Sequence, residues 1–339
     1  MSRDLAILEQ ALRLVFPAMT GLLPLTTGFS NDTYLVGGCD LILRLPPAAG
    51  AMLDGHDVIG QARIYQELAG VQGAPTVPGI AMIGEDASLL GAPFYVMERV
   101  PGEAVHDIHL QSWFTGASDA VRRDICQKWV TAYAGLARLQ LLQSLGQALS
   151  PDEDARRWQR FAAAANCPEL VALYDRLLSA AAPVSGPPAI VHGDAKLSNL
   201  MWLGPKTQVP EIQGPEIQGP EISAVLDWEL ALNGEPLADL GYMLFGFEGP
   251  FHKAATPARQ PGMLNRDQVI ALWSKVSGRS AEGLFWHEIA QIGKLSAIIA
   301  EGTNMFVTGR STDPKLAMFQ KNGAHFLGVM AAMLDHANL

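Results

Sequence analysis

Apolar positions change their period about a third of the way along the chain. Leu5, Leu8, Leu12 and Val15 recur at helical spacing and predict a short amphipathic first helix. Residues 22–45 then read as strands and tight turns. Tyr34 and Val36 lead into Gly37-Gly38-Cys39-Asp40, a strong hairpin signal, and Leu41-Ile42-Leu43-Arg44-Leu45 is a strand closed by Pro46-Pro47. A helical stretch from about Asp57 to Leu68 ends at Gly70, and Phe94-Tyr95-Val96-Met97 is an apolar strand between the Gly91-Ala92-Pro93 turn and Pro101-Gly102. Beyond residue 102 the spacing turns helical: Val121, Ile125, Trp129, Tyr133, Leu136 and Leu139 predict one long helix over 119–145. Two short strand-like pieces, Ala189-Ile190-Val191 and Ile222-Ser223-Ala224-Val225-Leu226, interrupt this helical part.

Composition narrows the class. A chain of 339 residues is long enough for two domains or lobes. With 49% hydrophobic and 17% charged residues it is the reverse of a disordered polymer. No run of about 18 consecutive apolar residues occurs, so no transmembrane helix is predicted. A net charge of −10 argues against nucleic acid or an anionic membrane as the main partner and fits an enzyme of small molecules. Cys39, Cys126 and Cys167 are odd in number and widely spaced, which predicts neither a disulfide framework nor a zinc site. Arg3, Asp4, Glu9 and Arg13 break any signal-peptide core, and a reducing cytoplasm is the expected home. Pro-Glu-Ile-Gln-Gly occurs at 210–214 and again at 215–219, which predicts an extended Pro/Gly loop over 204–221 with no function of its own.

The chemistry concentrates in His192-Gly193-Asp194-Ala195-Lys196-Leu197-Ser198-Asn199 and Leu226-Asp227-Trp228-Glu229, each just beyond a short β run. Asp194, Asn199 and Asp227 make an oxygen-only donor set suited to Mg²⁺. Lys196, in the same loop, can neutralise phosphate charge. The spacing H-x-D-x₄-N followed by a later Asp is the logic of a kinase catalytic loop: the first Asp accepts the acceptor hydroxyl's proton, and the Asn and the later Asp hold metal. No G-x-S-x-G, G-x-G-x-x-G or G-x-x-x-x-G-K-[ST] occurs, which disfavours a serine hydrolase, a Rossmann dehydrogenase and a P-loop NTPase.

Gly28-Phe29-Ser30-Asn31, Leu43-Arg44, Tyr95-Val96-Met97-Glu98, the HGDxxxxN segment, Leu226-Asp227-Trp228-Glu229-Leu230-Ala231 and Pro236-Leu237-Ala238-Asp239-Leu240 together resemble the aminoglycoside phosphotransferase family, over about residues 20–335. Within it the chain is most similar to the subgroup found fused to acyl-CoA dehydrogenases. The resemblance implies an α+β, bilobal protein-kinase-like fold. Residues 1–99 would be a nucleotide-binding lobe built on an antiparallel sheet, and residues 100–339 a helical catalytic and acceptor-binding lobe. It also implies ATP or GTP as co-substrate with Mg²⁺, and a small hydroxylated acceptor. Asp194 would be the catalytic base or the group that orients the acceptor hydroxyl, and Asn199 and Asp227 would bind metal. The turn holding Gly28, Phe29, Ser30 and Asn31 would cover the phosphates, and the backbone of Glu98, Arg99 and Val100 would meet the purine. Asp239 would brace the catalytic loop, and His192 would be a packed structural residue.

Departures from the pattern shape the expectations. Arg44 stands where many relatives carry a phosphate-binding Lys, and Arg can grip a phosphate bidentately. Gln61 stands where the helix usually supplies an acid, and Asp57, four residues earlier, is expected to substitute. Glu235 replaces a usual Asp. Arg122, Arg123, Arg156 and Arg157 could form a basic patch for a CoA-like acceptor, with a solvated helix face as the default. His106 and His109 read as surface, and Met305, Met318, Met330 and Met333 as core rather than an acceptor pocket. A hydroxyacyl-CoA-like metabolite is favoured over an aminoglycoside as acceptor. The rival class is a nucleotide-binding pseudokinase with a regulatory or scaffolding role, motivated by Gln61.

Overall fold

The computed structural model describes residues 3–25, 31–47, 57–204, 220–253, 255–311 and 313–339. Helix α1 (Leu5–Leu12) is capped by Asp4, whose carboxylate accepts the Ala6 N–H. Strands β1 (Gly21–Leu25), β2 (Asp32–Gly37) and β3 (Leu41–Leu45) follow, then helix α2 (Val58–Ala69) and strands β4 (Ile80–Gly84) and β5 (Phe94–Glu98). The five strands form one antiparallel sheet in the order β1-β2-β3-β5-β4. The predicted Gly37–Asp40 turn joins β2 to β3, with Gly38 and Asp40 both at positive φ.

β3 lies inside the sheet, and its period of two divides its residues between two cores. Leu43 and Leu45 face the α1 side with Leu8, Leu12, Val36 and Val96. Ile42 faces the other side with Tyr95, Met97 and the α2 residues Val58, Ala62 and Tyr65. Arg44 has the parity of Ile42. A cation is therefore carried onto the α2 face by the same alternation that buries its neighbours.

The rest of the chain is mostly helical, with β6 (Glu103–Ala104), α3 (Ser112–Thr115), α4 (Asp119–Leu136), α5 (Pro151–Ala164), α6 (Pro168–Leu177), β7 (Ala189–Val191), β8 (Leu200–Leu203), β9 (Glu221–Val225), β10 (Leu232–Gly234), α7 (Leu237–Leu244), α8 (Arg266–Ser277), α9 (Leu284–Val307) and α10 (Pro314–His336). β7 pairs with β10, and β6-β8-β9 form a second small sheet. The core that contains Tyr65 and Tyr95 continues into Trp129, Tyr133, Trp202 and Trp228, so α2 packs against both halves of the molecule. α9 is the central helix of the second half and packs on α5, α6, α7 and α10.

The helix expected over 119–145 ends at Leu136. Tertiary bonds claim the backbone beyond it. Asn233 accepts the Leu142 N–H and donates to the Leu142 and Gly146 carbonyls, while the Glu67 carboxylate accepts the N–H groups of Gln143 and Ser144. Groups that a longer helix would pair internally are satisfied by α2 and β10 instead.

Arg122 is also corrected. It is 6% exposed, and its guanidinium donates to the carbonyls of Pro261, Thr115 and Ala117 and pairs with Asp119, so it staples α3 and α4 rather than lining a basic patch. Met305, Met330 and Met333 are core, whereas Met318 is exposed. The repeats at 210–219 lie outside the described residues. Among the described residues, no helix is long and apolar enough to cross a membrane.

Candidate active site

Three chain reversals assemble the site. β7 delivers His192, Gly193 and Asp194; Asn199 opens β8; and the end of β9 leads into Asp227. Across the base of the β8–β9 hairpin, the Leu226 N–H donates to the Asn199 carbonyl at 2.9 Å, which sets Asn199 beside Asp227. Asp227 itself is left-handed, at φ 59°. This uncommon conformation for a non-glycine residue turns its carboxylate out of the strand line.

The loop 192–194 is held from behind. Asp239 on α7, 2% exposed, accepts the N–H groups of His192 at 2.7 Å and Gly193 at 2.8 Å. It braces the loop 192–194 as expected. Nε2 of His192 bonds the Leu226 carbonyl at 2.8 Å, and its Nδ1 faces the Asp194 N–H at 3.2 Å. One donor and one acceptor describe a neutral ring, and burial lowers its pKa. The ring packs between Tyr133 and Trp228, so His192 is structural. Gly193 sits at φ +81°, and a Cβ there would come 2.3 Å from the Leu230 carbonyl oxygen. Only glycine fits that approach. From α4, Trp129 Nε1 donates to the Ala195 carbonyl and the Tyr133 hydroxyl to the Lys196 carbonyl, both at 3.1 Å.

Within this frame the Asp194 Oδ2 accepts from Asn199 Nδ2 at 2.7 Å and pairs with Lys196 Nζ at 2.9 Å. Burial alone would raise the Asp194 pKa. The Lys196 charge outweighs it, helped by the Tyr242 and Asn199 side chains, and holds the carboxyl well below the usual range. Its other oxygen, Oδ1, is buried and takes no full hydrogen bond from any described residue. Lys196 is held protonated by Asp194, against its own burial.

Facing this loop is the α2 side of the sheet. Arg44 Nη1 bonds Asp227 Oδ1 at 2.9 Å, joining β3 to the turn after β9. Burial opposes the Arg44 charge, but Tyr95, Asp227, Tyr65 and Glu229 around it keep the guanidinium firmly protonated. The Tyr65 hydroxyl accepts the Asp227 N–H at 3.2 Å. Gln61 is 4% exposed, and its Oε1 accepts from Asn31 Nδ2 at 3.3 Å and the Tyr95 hydroxyl at 3.5 Å. Asn31 also reaches Glu229 Oε2 at 3.4 Å, so it bridges the two halves of the cleft.

Asp57 does not take the place of the missing acid. It is the exposed N-cap of α2, its carboxylate accepts the Ile59 N–H at 3.0 Å, and Arg44 turns to Asp227 for its ion pair. The expectation failed because four residues of helical spacing place Asp57 at the helix end, where orphan N–H groups compete for a carboxylate. In the segment expected to meet the purine, the Glu98 and Arg99 N–H groups already serve the Gly79 and Asp40 carbonyls. Gly28, Phe29 and Ser30 lie outside the described residues.

Two contributors were missed from the sequence. Tyr242, one turn after Asp239 on α7, supports the Asp194 charge. Lys294 on α9 bonds the Gly193 carbonyl. The available signal for the second was a single Lys inside Ala290-Gln291-Ile292-Gly293-Lys294-Leu295-Ser296-Ala297, an otherwise uncharged helical run. Glu235 is buried and accepts from the Ser185 N–H at 2.9 Å and the Leu237 N–H at 3.1 Å, so the longer acid is absorbed in capping α7. His106 and His109 are exposed. Among the described residues no cluster of three or more His, Cys, Asp or Glu side chains could hold a metal. The hard oxygens present for Mg²⁺ are the Asp227 carboxylate and the Asn199 amide oxygen, whose Nδ2 is turned toward Asp194.

A five-stranded antiparallel sheet facing a helical half, with the catalytic-type loop between them, is the bilobal protein-kinase-like α+β fold. Residues 21–273 match the model of the phosphotransferase enzyme family, and the chain belongs to that family. It is 30% identical over 235 residues to acyl-CoA dehydrogenase family member 10 of Mus musculus, an alignment that covers 68% of this chain and 20% of that protein. The chain therefore spans about a fifth of that relative's length. Among solved structures, a candidate aminoglycoside phosphotransferase from Ralstonia eutropha superposes with a TM-score of 0.69 at 22% identity, covering 98% of each chain. A thermostable mutant of aminoglycoside phosphotransferase APH(4)-Ia, in ternary complex with ADP and hygromycin B, superposes with a TM-score of 0.54 at 16% identity over 96% of this chain and 97% of that one.

Proposed function

We propose that this protein transfers the γ-phosphate of ATP or GTP, with Mg²⁺, to a hydroxyl group of a small molecule. The observation that carries this reading is the buried Asp194 carboxylate, paired with Lys196 and Asn199 within a cleft that also presents Arg44 and Asp227. In this reading the sheet half, residues 1–99, takes the nucleotide, and residues 100–339 take the acceptor. The ADP bound by APH(4)-Ia supports a nucleotide co-substrate.

Asp194 orients the acceptor hydroxyl by accepting its hydrogen bond at Oδ1. A carboxylate held so far below its usual pKa is a poor base before bond formation. It works by direction and takes the proton late, which suits a loose phosphoryl-transfer transition state. Arg44 and Lys196 place cations on the two sides of the transferring group. Asn199 and Asp227 would hold the metal, which when bound neutralises phosphate charge. Val100, with the two preceding N–H groups already committed, is left to read the purine edge from the backbone.

The acceptor class we favour is a hydroxylated acyl thioester or related metabolite, on the strength of the acyl-CoA dehydrogenase family relative. The hygromycin B of APH(4)-Ia supports the alternative, an aminoglycoside. The deciding experiment transfers labelled γ-phosphate from ATP and from GTP, with Mg²⁺, into a fractionated metabolite extract supplemented with hydroxyacyl-CoAs and aminoglycosides. Wild type and Asp194→Asn are run together. A labelled product made by wild type and reduced at least about 10³-fold in the variant is expected. Equal labelling by both proteins would remove Asp194 from its role, and nucleotide binding without transfer by wild type would favour a pseudokinase.

A further inference from the structure

α9 is buried on nearly every side, and a charged residue sits near its middle: Lys294, 3% exposed. Burying an ammonium group is costly, and an apolar side chain of similar length would fill the position without that cost. What the ammonium contributes must therefore lie in its contacts. Nζ donates to the Gly193 carbonyl oxygen and rests 4.3 Å from the centroid of the Tyr242 ring. Both partners belong to the surroundings of Asp194. Gly193 precedes it in the chain, and the Tyr242 side chain supports its carboxylate.

These contacts complete a clamp. The Gly193 N–H is fixed by Asp239 at 2.8 Å and its carbonyl by Lys294, and at φ +81° the nearby Leu230 carbonyl leaves no room for a side chain. With both polar groups of one residue fixed from α7 and α9, the direction in which the chain leaves toward Asp194 has little freedom. Asp239 and Tyr242 are three residues apart on α7, so they share a face, and Lys294 reaches that face from the facing helix. The ammonium meets the electron-rich face of the Tyr242 ring in a cation–π contact, on the same side chain whose hydroxyl supports Asp194.

We propose that Lys294 is a positioning residue for Asp194, setting its carboxylate through the Gly193 carbonyl and the Tyr242 ring. The kinetic part of the test rests on the phosphotransfer reading; the structural part does not. Lys294→Met, Lys294→Arg and Tyr242→Phe are compared with wild type in two measurements. One is amide hydrogen exchange of the segment 189–196, with α10 as internal reference. The other is steady-state phosphate transfer from Mg²⁺-ATP or Mg²⁺-GTP to water and to the acceptor found in the labelled extract.

Lys294→Met is expected to speed exchange at 193–195 about tenfold, as for loss of one hydrogen bond, and to leave α10 unchanged. Its kcat is expected to fall about 100-fold, with the nucleotide KM within about threefold of wild type. Lys294→Arg, which keeps a charged donor, recovers part of kcat, and Tyr242→Phe loses about tenfold. Unchanged exchange at 193–195, or a loss carried by KM alone, overturns the proposal. If wild type transfers no phosphate, the phosphotransfer reading fails, and the exchange data still decide the role of Lys294. If Lys294→Met does not fold, Lys294→Arg and Tyr242→Phe decide it by the same two measurements.

Discussion

The two walls of the cleft are built on different principles. On the Asp194 side, residues 192–196 are held by side chains from α4, α7 and α9: Trp129, Tyr133, Asp239 and Lys294 each bond a main-chain group of the loop. On the Arg44 side, a few side chains meet across the gap between the sheet and the helical half, with Arg44 on Asp227 and Asn31 between Gln61 and Glu229. The first wall is a template held by hydrogen bonds from three helices. The second is a set of ionic and polar bridges that includes Arg44 and Asp227, the pair proposed above to meet phosphate and metal. On the proposed function, preorganisation falls on the wall that would aim a reacting oxygen, and exchangeable pairing on the wall that would receive phosphate charge.

Substitutions sharpen this contrast. The largest effect is expected at the template: Gly193→Ala forces a Cβ into the Leu230 carbonyl at positive φ and should cost more than about 4 kcal/mol, read as a large fall in Tm. A variant that melted like wild type would show that the loop is not rigid.

The next effect is pH-dependent. Burial lowers the Lys294 pKa from 10.5 to about 8, with Asp154, Asp194 and Asp239 opposing the shift and Arg157 adding to it. Between these values the unfolded chain binds more protons than the folded one, so stability from this group rises with pH across pH 8 to 10.5 and is lost as pH falls through about 8. Wild type should therefore gain on Lys294→Met by up to about 3 kcal/mol over that window in denaturant titrations, other titrations cancelling between the two proteins. A constant difference would mean that Lys294 titrates normally and is not buried as a cation.

On the bridging wall, Arg44→Met should lower kcat/KM for the nucleotide about 30- to 100-fold while leaving Tm within a few degrees, because Asp227 is partly exposed and can be hydrated. A collapse in Tm instead would make that wall as structural as the other. The smallest effect belongs to Asp57→Ala. Loss of the α2 cap should cost about 1 kcal/mol and leave transfer within about twofold. A drop in transfer matching that of Arg44→Met would restore Asp57 as the acid serving Arg44.

Much of this was legible in the order of residues. The hairpin at Gly37–Asp40, the strand holding Arg44 and the short strands before His192 and Asp227 all follow from patterns a few residues long, because turn chemistry and strand alternation act over that range, whereas the bracing role of Asp239 came from the family resemblance. The spacing of Asp194, Asn199 and Asp227 pointed to one site for the same reason: each stands just past the end of a short strand. Four features required the folded chain. The end of α4 at Leu136 depends on Asn233 and Glu67, which are remote in sequence. Asp57 is drawn to its own helix end, and Arg122 is consumed in a buried staple. Lys294 joins the site only because α9 crosses behind a loop 101 residues away in sequence. The sequence by itself determined which local elements form and which polar residues stand at their ends. Tertiary packing alone decided which of those residues face one another, since desolvation and hydrogen-bond pairing depend on neighbours that local spacing does not specify.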